Sequence, residues 1–421
     1  SNYAALNITN ELGRVKGVGN VGLFGMGKYS MRIWLDPDQL TIRGITPADI
    51  VSAIQGQNIQ VTAGSVGSEP LVRKEAYQYT LETKGLLIDE EEFGNIIVKA
   101  LHQLNSYGLT GVHPIQGKHC DLMEYTDIYQ ALKDEGRLTA RIYINYDVLP
   151  GCNIRTGLGD EMLKFGFYKS YMDGNLSGRT AFMLEPYSDD PSTCGVCNYE
   201  SQEAITEHLR EGYQQGMQIG VHAIGDRAAD MLITAIETIY REDPHPDPRF
   251  RLIHMTTLNA SLVERMSKLP VIVDVQPVFI PINVRSADSR MGDTERGAYT
   301  FAYKKMMDAG LMLTGGSDSP CDSFNPLDGV YALVNRKDYT GYPEGGWHPQ
   351  ECIGVYDALR MYTYNAAYSS YEETIKGTIK EGKLADFVVL DADIFKVDPM
   401  KIKDIKVEKT YLGGKLVYSR D

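Results

Sequence analysis

Between about residue 101 and residue 364, short apolar runs of strand length alternate with stretches whose apolar residues recur at helical spacing. The short runs cover 109–115, 138–146, 165–172, 218–223, 251–255, 271–275 and 311–315. The helical stretches cover 121–134, 201–215, 227–240, 260–267, 300–309 and 355–364. Seven strands mostly separated by helices, with no long antiparallel run, predict an α/β fold: a parallel barrel or a doubly wound sheet. A closed (β/α)8 barrel has eight strands. The one lacking a counterpart is expected ahead of residue 109.

The flanks follow different patterns. At 17–27 glycines punctuate a strand pair, 29–35 alternates as a strand does, and Asp36-Pro37 makes a turn. A helix is predicted over 48–57, with Thr46 as N-cap and Pro47 at its first position. The glycines lack the following helix and later acidic partner of a dinucleotide fingerprint. After about residue 371, the segments 377–390 and 407–418 predict short strands with glycine turns, part of a small β-domain.

Composition narrows the function classes. A chain of 421 residues has room for two or three domains and a large core. Its net charge of −14 argues against a nucleic-acid footprint and against anionic lipid. No run approaches the ~18 apolar residues of a membrane span, and no charged-then-apolar leader opens the chain. It begins Ser-Asn-Tyr without a methionine, so a processed chain or a fragment is expected. The six cysteines are irregularly spaced. Cys194 and Cys197 form one CxxC in a turn-rich segment, a weak signal for zinc or redox chemistry, and free thiols in a reducing cytoplasm are the default.

Four of the apolar runs end in a residue able to hold a metal: Lys169, His222, His254 and Asp318. In a (β/α)8 enzyme the active site lies at the C-terminal ends of the strands. Two imidazoles and a carboxylate there form a nitrogen and oxygen site suited to zinc or a similar ion. A single strand-end histidine is more often just a satisfied polar residue; the combination favours the metal reading. Asp226 reads as a cap for the helix it opens. Asp173, Arg179 and Tyr187 either line a pocket or tie a loop together. His348, in a Gly/Pro-rich loop, is a candidate to reach the pocket, and His208 and His245 read as surface residues.

Two resemblances extend this reading. The segments KSYMDGNLSGRTAFMLEPYSDDP, VHAIGDRAADMLITAIE, RLIHMTTL, GGSDSPCDSFNPLDGVYALVNR, GKLADFVVLDADIF and YLGGKLVY resemble, in order, the amidohydrolase superfamily, in its branch of YtcJ-like hydrolases and N-substituted formamide deformylase. Ahead of them, GVGNVGLFGMGKYSMRIWLDPDQLTIRGITPADIVSAIQGQNIQVTAGSVGSEP and YQYTLETKGLLIDEEEFGNIIVKA resemble the periplasmic porter and docking region of a resistance-nodulation-division efflux transporter.

The first resemblance implies a metal-dependent TIM-type barrel that hydrolyses C–N bonds of small amides or formamides, other than peptide bonds. It implies metal positions at His222, His254, Lys169 and Asp318, with catalysis by Asp318 and His254. Asp318 would take a proton from water and pass it to the leaving nitrogen, and Lys169 stands where many relatives carry a carbamylated lysine. Asp173, Arg179 and His348 are expected on the substrate side. The family's first strand ends in His-x-His, and no such pair occurs here. His113 and His119 correspond to the second strand. One zinc or other divalent ion is therefore expected rather than two.

The expected organisation is an α+β segment over 1–100, an incomplete barrel lacking its first strand over 101–370, and a remnant of a C-terminal β-sandwich over 371–421. The larger part implies a cytoplasmic location and the N-terminal segment alone a periplasmic one. A non-catalytic efflux-associated adaptor and an inactive chimera are the alternatives; oligomeric state is not readable.

Overall fold

The computed structural model describes residues 62–66, 79–82, 90–116, 122–149 and 154–420. The elements predicted at 17–57, and His119, lie outside the described residues. The chain divides into two compact units, Ser1–Ile88 and Asp89–Asp421. In the first, β1 (Thr62–Val66) and β2 (Tyr79–Glu82) pair antiparallel, with Val66 opposite Tyr79.

The second unit opens with the helix Glu90–Asn105 and then builds one parallel sheet. Strands β3 (Gly111–Val112) and β4 (Ile115–Gln116) pair in succession with β5 (Arg141–Tyr146). They share one strand position, interrupted at His113-Pro114, where proline has no N–H to give to a ladder. Beyond β5 come β6 (Leu163–Tyr171), β7 (Gln218–Ala223), β8 (Phe250–His254), β9 (Val271–Val275) and β10 (Met312–Gly315), each parallel to the last. The result is a curled half-barrel of seven strand positions with helices in the crossovers. Among the described residues, no strand joins β10 to β3, the place an eighth would take.

Several boundaries differ from those predicted. The helix expected over 355–364 is two, Val355–Tyr362 and Tyr364–Ser369, divided at Thr363. That expected over 300–309 shortens to Tyr303–Asp308. Pro326–Asn335 is helical although periodicity did not mark it. At the C-terminus, β11 (Phe387–Leu390), β12 (Val407–Leu412) and β13 (Lys415–Ser419) form a separate antiparallel sheet. Asp386 ties it to the half-barrel: its carboxylate accepts from Nε and Nη2 of Arg141 at 2.7 and 2.9 Å, and from the Gly413 amide at 2.7 Å.

Strand alternation decides what faces each way. Ile219, Val221, Leu252, Val273 and Leu313 turn outward into the main apolar core. There they meet Ala228, Leu232 and Ile236, the inner stripe of the helix Asp226–Glu242. Each buried Leu or Ile contributes about 1.5–3 kcal/mol. The intervening positions face the barrel axis. Phe167, Tyr143 and Ile253 pack together there, and Tyr143 donates to Gln218 at 3.1 Å. Arg251 on β8 is bonded through Nε to Asp274 on β9 at 2.7 Å, and the Thr314 hydroxyl on β10 donates to the same carboxylate at 2.5 Å.

Gly220 on β7 is the small partner in this interior. A Cβ there would stand 2.3 Å from Cδ2 of the Phe167 ring. Gly220→Ala is therefore expected to lower stability by about 1–3 kcal/mol, the cost of overpacking. Urea unfolding of the variant beside the wild type measures it, and an unchanged midpoint would contradict this packing.

Candidate active site

His222 is the fifth residue of β7 and His254 the last of β8, adjacent parallel strands in which Ala223 stands opposite His254. Ile253 already faces the axis, so strict alternation would send His254 outward. The backbone instead turns left-handed, with φ of 77° at His254 and 46° at Met255. Such a turn is costly for residues other than glycine and gathers at functional sites. It brings the two imidazoles edge to face, with centroids 4.4 Å apart.

Each ring has one nitrogen held by an oxygen. Nε2 of His222 donates to the Gly174 carbonyl at 2.8 Å and lies 3.4 Å from Asp173. Nδ1 of His254 is 2.6 Å from Oε1 of Gln276. Burial, then the neighbouring charges of His222 and Lys169, push the His254 pKa well below the usual imidazole value, so its ring is neutral. A neutral imidazole is the ligand form.

Lys169 lies on β6, buried, with its ammonium 4.7 Å from the centroid of the Tyr171 ring. Burial draws its pKa down to about 7, against the opposing pull of Asp318 and Asp274. Asp318 follows β10, exposed and with φ of 55°, within electrostatic reach of Lys169 and of the Tyr171 phenol. The mouth of the half-barrel thus carries two paired imidazoles, a buried amine and a carboxylate. Among the described residues, no group of three or more His, Cys, Asp and Glu is gathered as for a metal ion. The residues here with nitrogen donors of the kind that could hold an ion are His222 and His254.

Of the remaining candidates, Asp173 lies beside His222 and the others fall elsewhere. Asp173 is buried and belongs to the loop network. Its carboxylate accepts from the amides of Phe182, Ile224 and Gly225 at 2.8, 3.0 and 2.8 Å, joining the loops after β6 and β7 beneath His222. Asp226 opens its helix and accepts from the Leu184 and Arg227 amides. Arg179 lies in the loop after β6, paired in two-pronged fashion with Asp189 at 3.0 and 2.7 Å. His348 packs edge-on against Trp347, with Nε2 3.5 Å from Asp288. His113 sits beside Tyr143 and Arg251, not with the histidine pair. Cys194 and Cys197 are free thiols.

Gln276, Asp274, Arg251 and Tyr171 were not singled out from the sequence. Gln276 could have been: it ends the apolar run of β9 just as His222 and Asp318 end theirs.

Comparison with known proteins shows the family of the chain. Residues 62–418 match the model of the Amidohydrolase family, and residues 1–112 match that of the AcrB/AcrD/AcrF family. The Bacillus subtilis (strain 168) protein named as amidohydrolase YtcJ is 31% identical over 363 residues, covering 80% of this chain and 66% of that protein. N-substituted formamide deformylase of Arthrobacter pascens is 27% identical over 237 residues, 56% of this chain and 43% of that one. A crystal structure of an uncharacterized metal-dependent hydrolase from Pyrococcus horikoshii OT3 superposes with a TM-score of 0.64 at 26% identity, covering 74% of this chain and 62% of that chain. This chain thus spans less than two thirds of the length of each of these proteins.

Proposed function

This chain belongs to the amidohydrolase family, and on that premise we propose that its half-barrel hydrolyses the C–N bond of small amides or formamides, using one divalent ion such as zinc. The observation carrying the proposal is the His222–His254 pair: rings 4.4 Å apart on neighbouring strand ends, each with one nitrogen already engaged by an oxygen. The name of the deformylase relative supports the substrate class.

His222 and His254 would hold the ion. When bound, it supplies Lewis acidity, which polarises an amide carbonyl and makes water acidic enough to attack near neutral pH. The carboxylate of Asp318 takes the proton from the attacking water and returns it to the departing nitrogen. Asp173 keeps His222 in place through the loop amides it binds. The amine of Lys169, drawn toward neutrality by burial, lies within electrostatic reach of Asp318 and biases where that proton rests. No helix among the described residues is long and apolar enough to cross a membrane.

The test is amine release from a panel of N-formyl and N-acyl amines, with and without added zinc or cobalt. Turnover that requires the metal is expected. Absence of release across the panel from folded, metal-supplemented protein would overturn the proposal in favour of an inactive scaffold.

A further inference from the structure

We propose that Gln276 is a positioning residue that locks His254 in its Nδ1–H tautomer and leaves Nε2 as a bare lone pair beside His222. The use of that lone pair rests on the metal-hydrolase reading above; the tautomer itself does not.

The chain of hydrogen bonds admits one assignment. The Gln276 amide has one acceptor end and one donor end. Its Nε2 donates to the backbone carbonyl of Asp274 at 3.1 Å, so Oε1 is the atom facing His254. An oxygen without a hydrogen, 2.6 Å from Nδ1, requires the proton on Nδ1. With its one proton on Nδ1, the neutral form of the ring has none on Nε2. Gln276 is itself buried, which holds the amide against rotation. Its anchor is equally fixed: Asp274 is a β9 residue whose side chain is bound to Arg251 and Thr314. Order set in the barrel interior thus passes through one amide to the ring at the mouth.

His222 carries the opposite assignment. Its Nε2 meets the Gly174 carbonyl, which has no proton to give, so in the neutral ring Nδ1 is the bare nitrogen. In their neutral forms the two rings are thus opposite tautomers, each with one bare nitrogen. Partners of this kind raise metal affinity by sparing the ligands a tautomer change on binding.

The experiment is long-range proton–nitrogen NMR of the whole chain labelled with 15N-histidine, without added metal, beside Gln276→Met and Gln276→Glu. In the wild type, His254 is expected to show a protonated Nδ1 and an unprotonated Nε2, and His222 the reverse. Gln276→Met, similar in volume but without the acceptor, shifts His254 toward the Nε2–H form and leaves His222 unchanged; Gln276→Glu keeps the wild-type pattern. Zinc titration by calorimetry should show roughly 10–100-fold weaker binding for Gln276→Met. A wild-type His254 protonated on Nε2, or one unmoved by Gln276→Met, overturns the proposal. If Gln276→Met does not fold, the wild-type spectrum decides. Failure of the wild type to bind zinc, with the tautomers as assigned, would refute the hydrolase reading and leave this one standing.

Discussion

His222→Ala and His254→Ala are each expected to abolish retention of the divalent ion and to reduce hydrolysis by more than about 100-fold, beyond the upper end of what losing an outer partner costs. The two imidazoles supply the nitrogen pair, and among the described residues no third His, Cys, Asp or Glu joins them to compensate. Metal content after dialysis, measured by elemental analysis beside amine release, reads both effects at once. His102→Ala, an exposed position on the first helix of the second unit, is the control that should change neither. Full retention of ion and rate in either variant would remove the pair from the mechanism.

The second large effect concerns stability. Asp274→Ala should cost about 3–5 kcal/mol, because it strands the Arg251 guanidinium in the barrel interior. Arg251 and Asp274 are 5% and 8% exposed, so water cannot replace the lost partner. The Thr314 hydroxyl loses its acceptor in the same step. The double variant Arg251→Met with Asp274→Leu should recover most of the loss, since a buried ion pair replaced by apolar residues of similar volume is often neutral or better. Urea unfolding monitored by circular dichroism gives both values. A cost below about 1 kcal/mol for Asp274→Ala would show that the pair is solvated.

The seven strands were legible because each is a short, largely apolar run between helical stretches or turns, and β7 and β9 begin and end where the pattern predicts. The helix Pro326–Asn335 was missed although Asn325 caps it and Pro326 occupies its first position. That signal lies in capping chemistry rather than in periodicity. Glu90–Asn105 was absorbed into the transporter-like segment, where its helical stripe went unread. At the site, Lys169 and His222 follow from strand-end position and alternation alone. His254 does not: its inward turn depends on a left-handed backbone that no local pattern announces. The Arg251–Asp274 pair stayed hidden because it requires the register between two strands separated by a helix. The tie between Arg179 and Asp189 is likewise a loop geometry, visible only once the loop is folded.

Arg141 and Asp386 carry a consequence for how the second unit comes apart. A three-stranded antiparallel ribbon of this size has little independent stability. Its anchor is a two-pronged ion pair whose side chains are 6% and 8% exposed, closed onto the floor of the half-barrel. Peeling the ribbon away would leave a bare charge on each side, so neither piece gains by melting first, and heat meets the pair as one cooperative body.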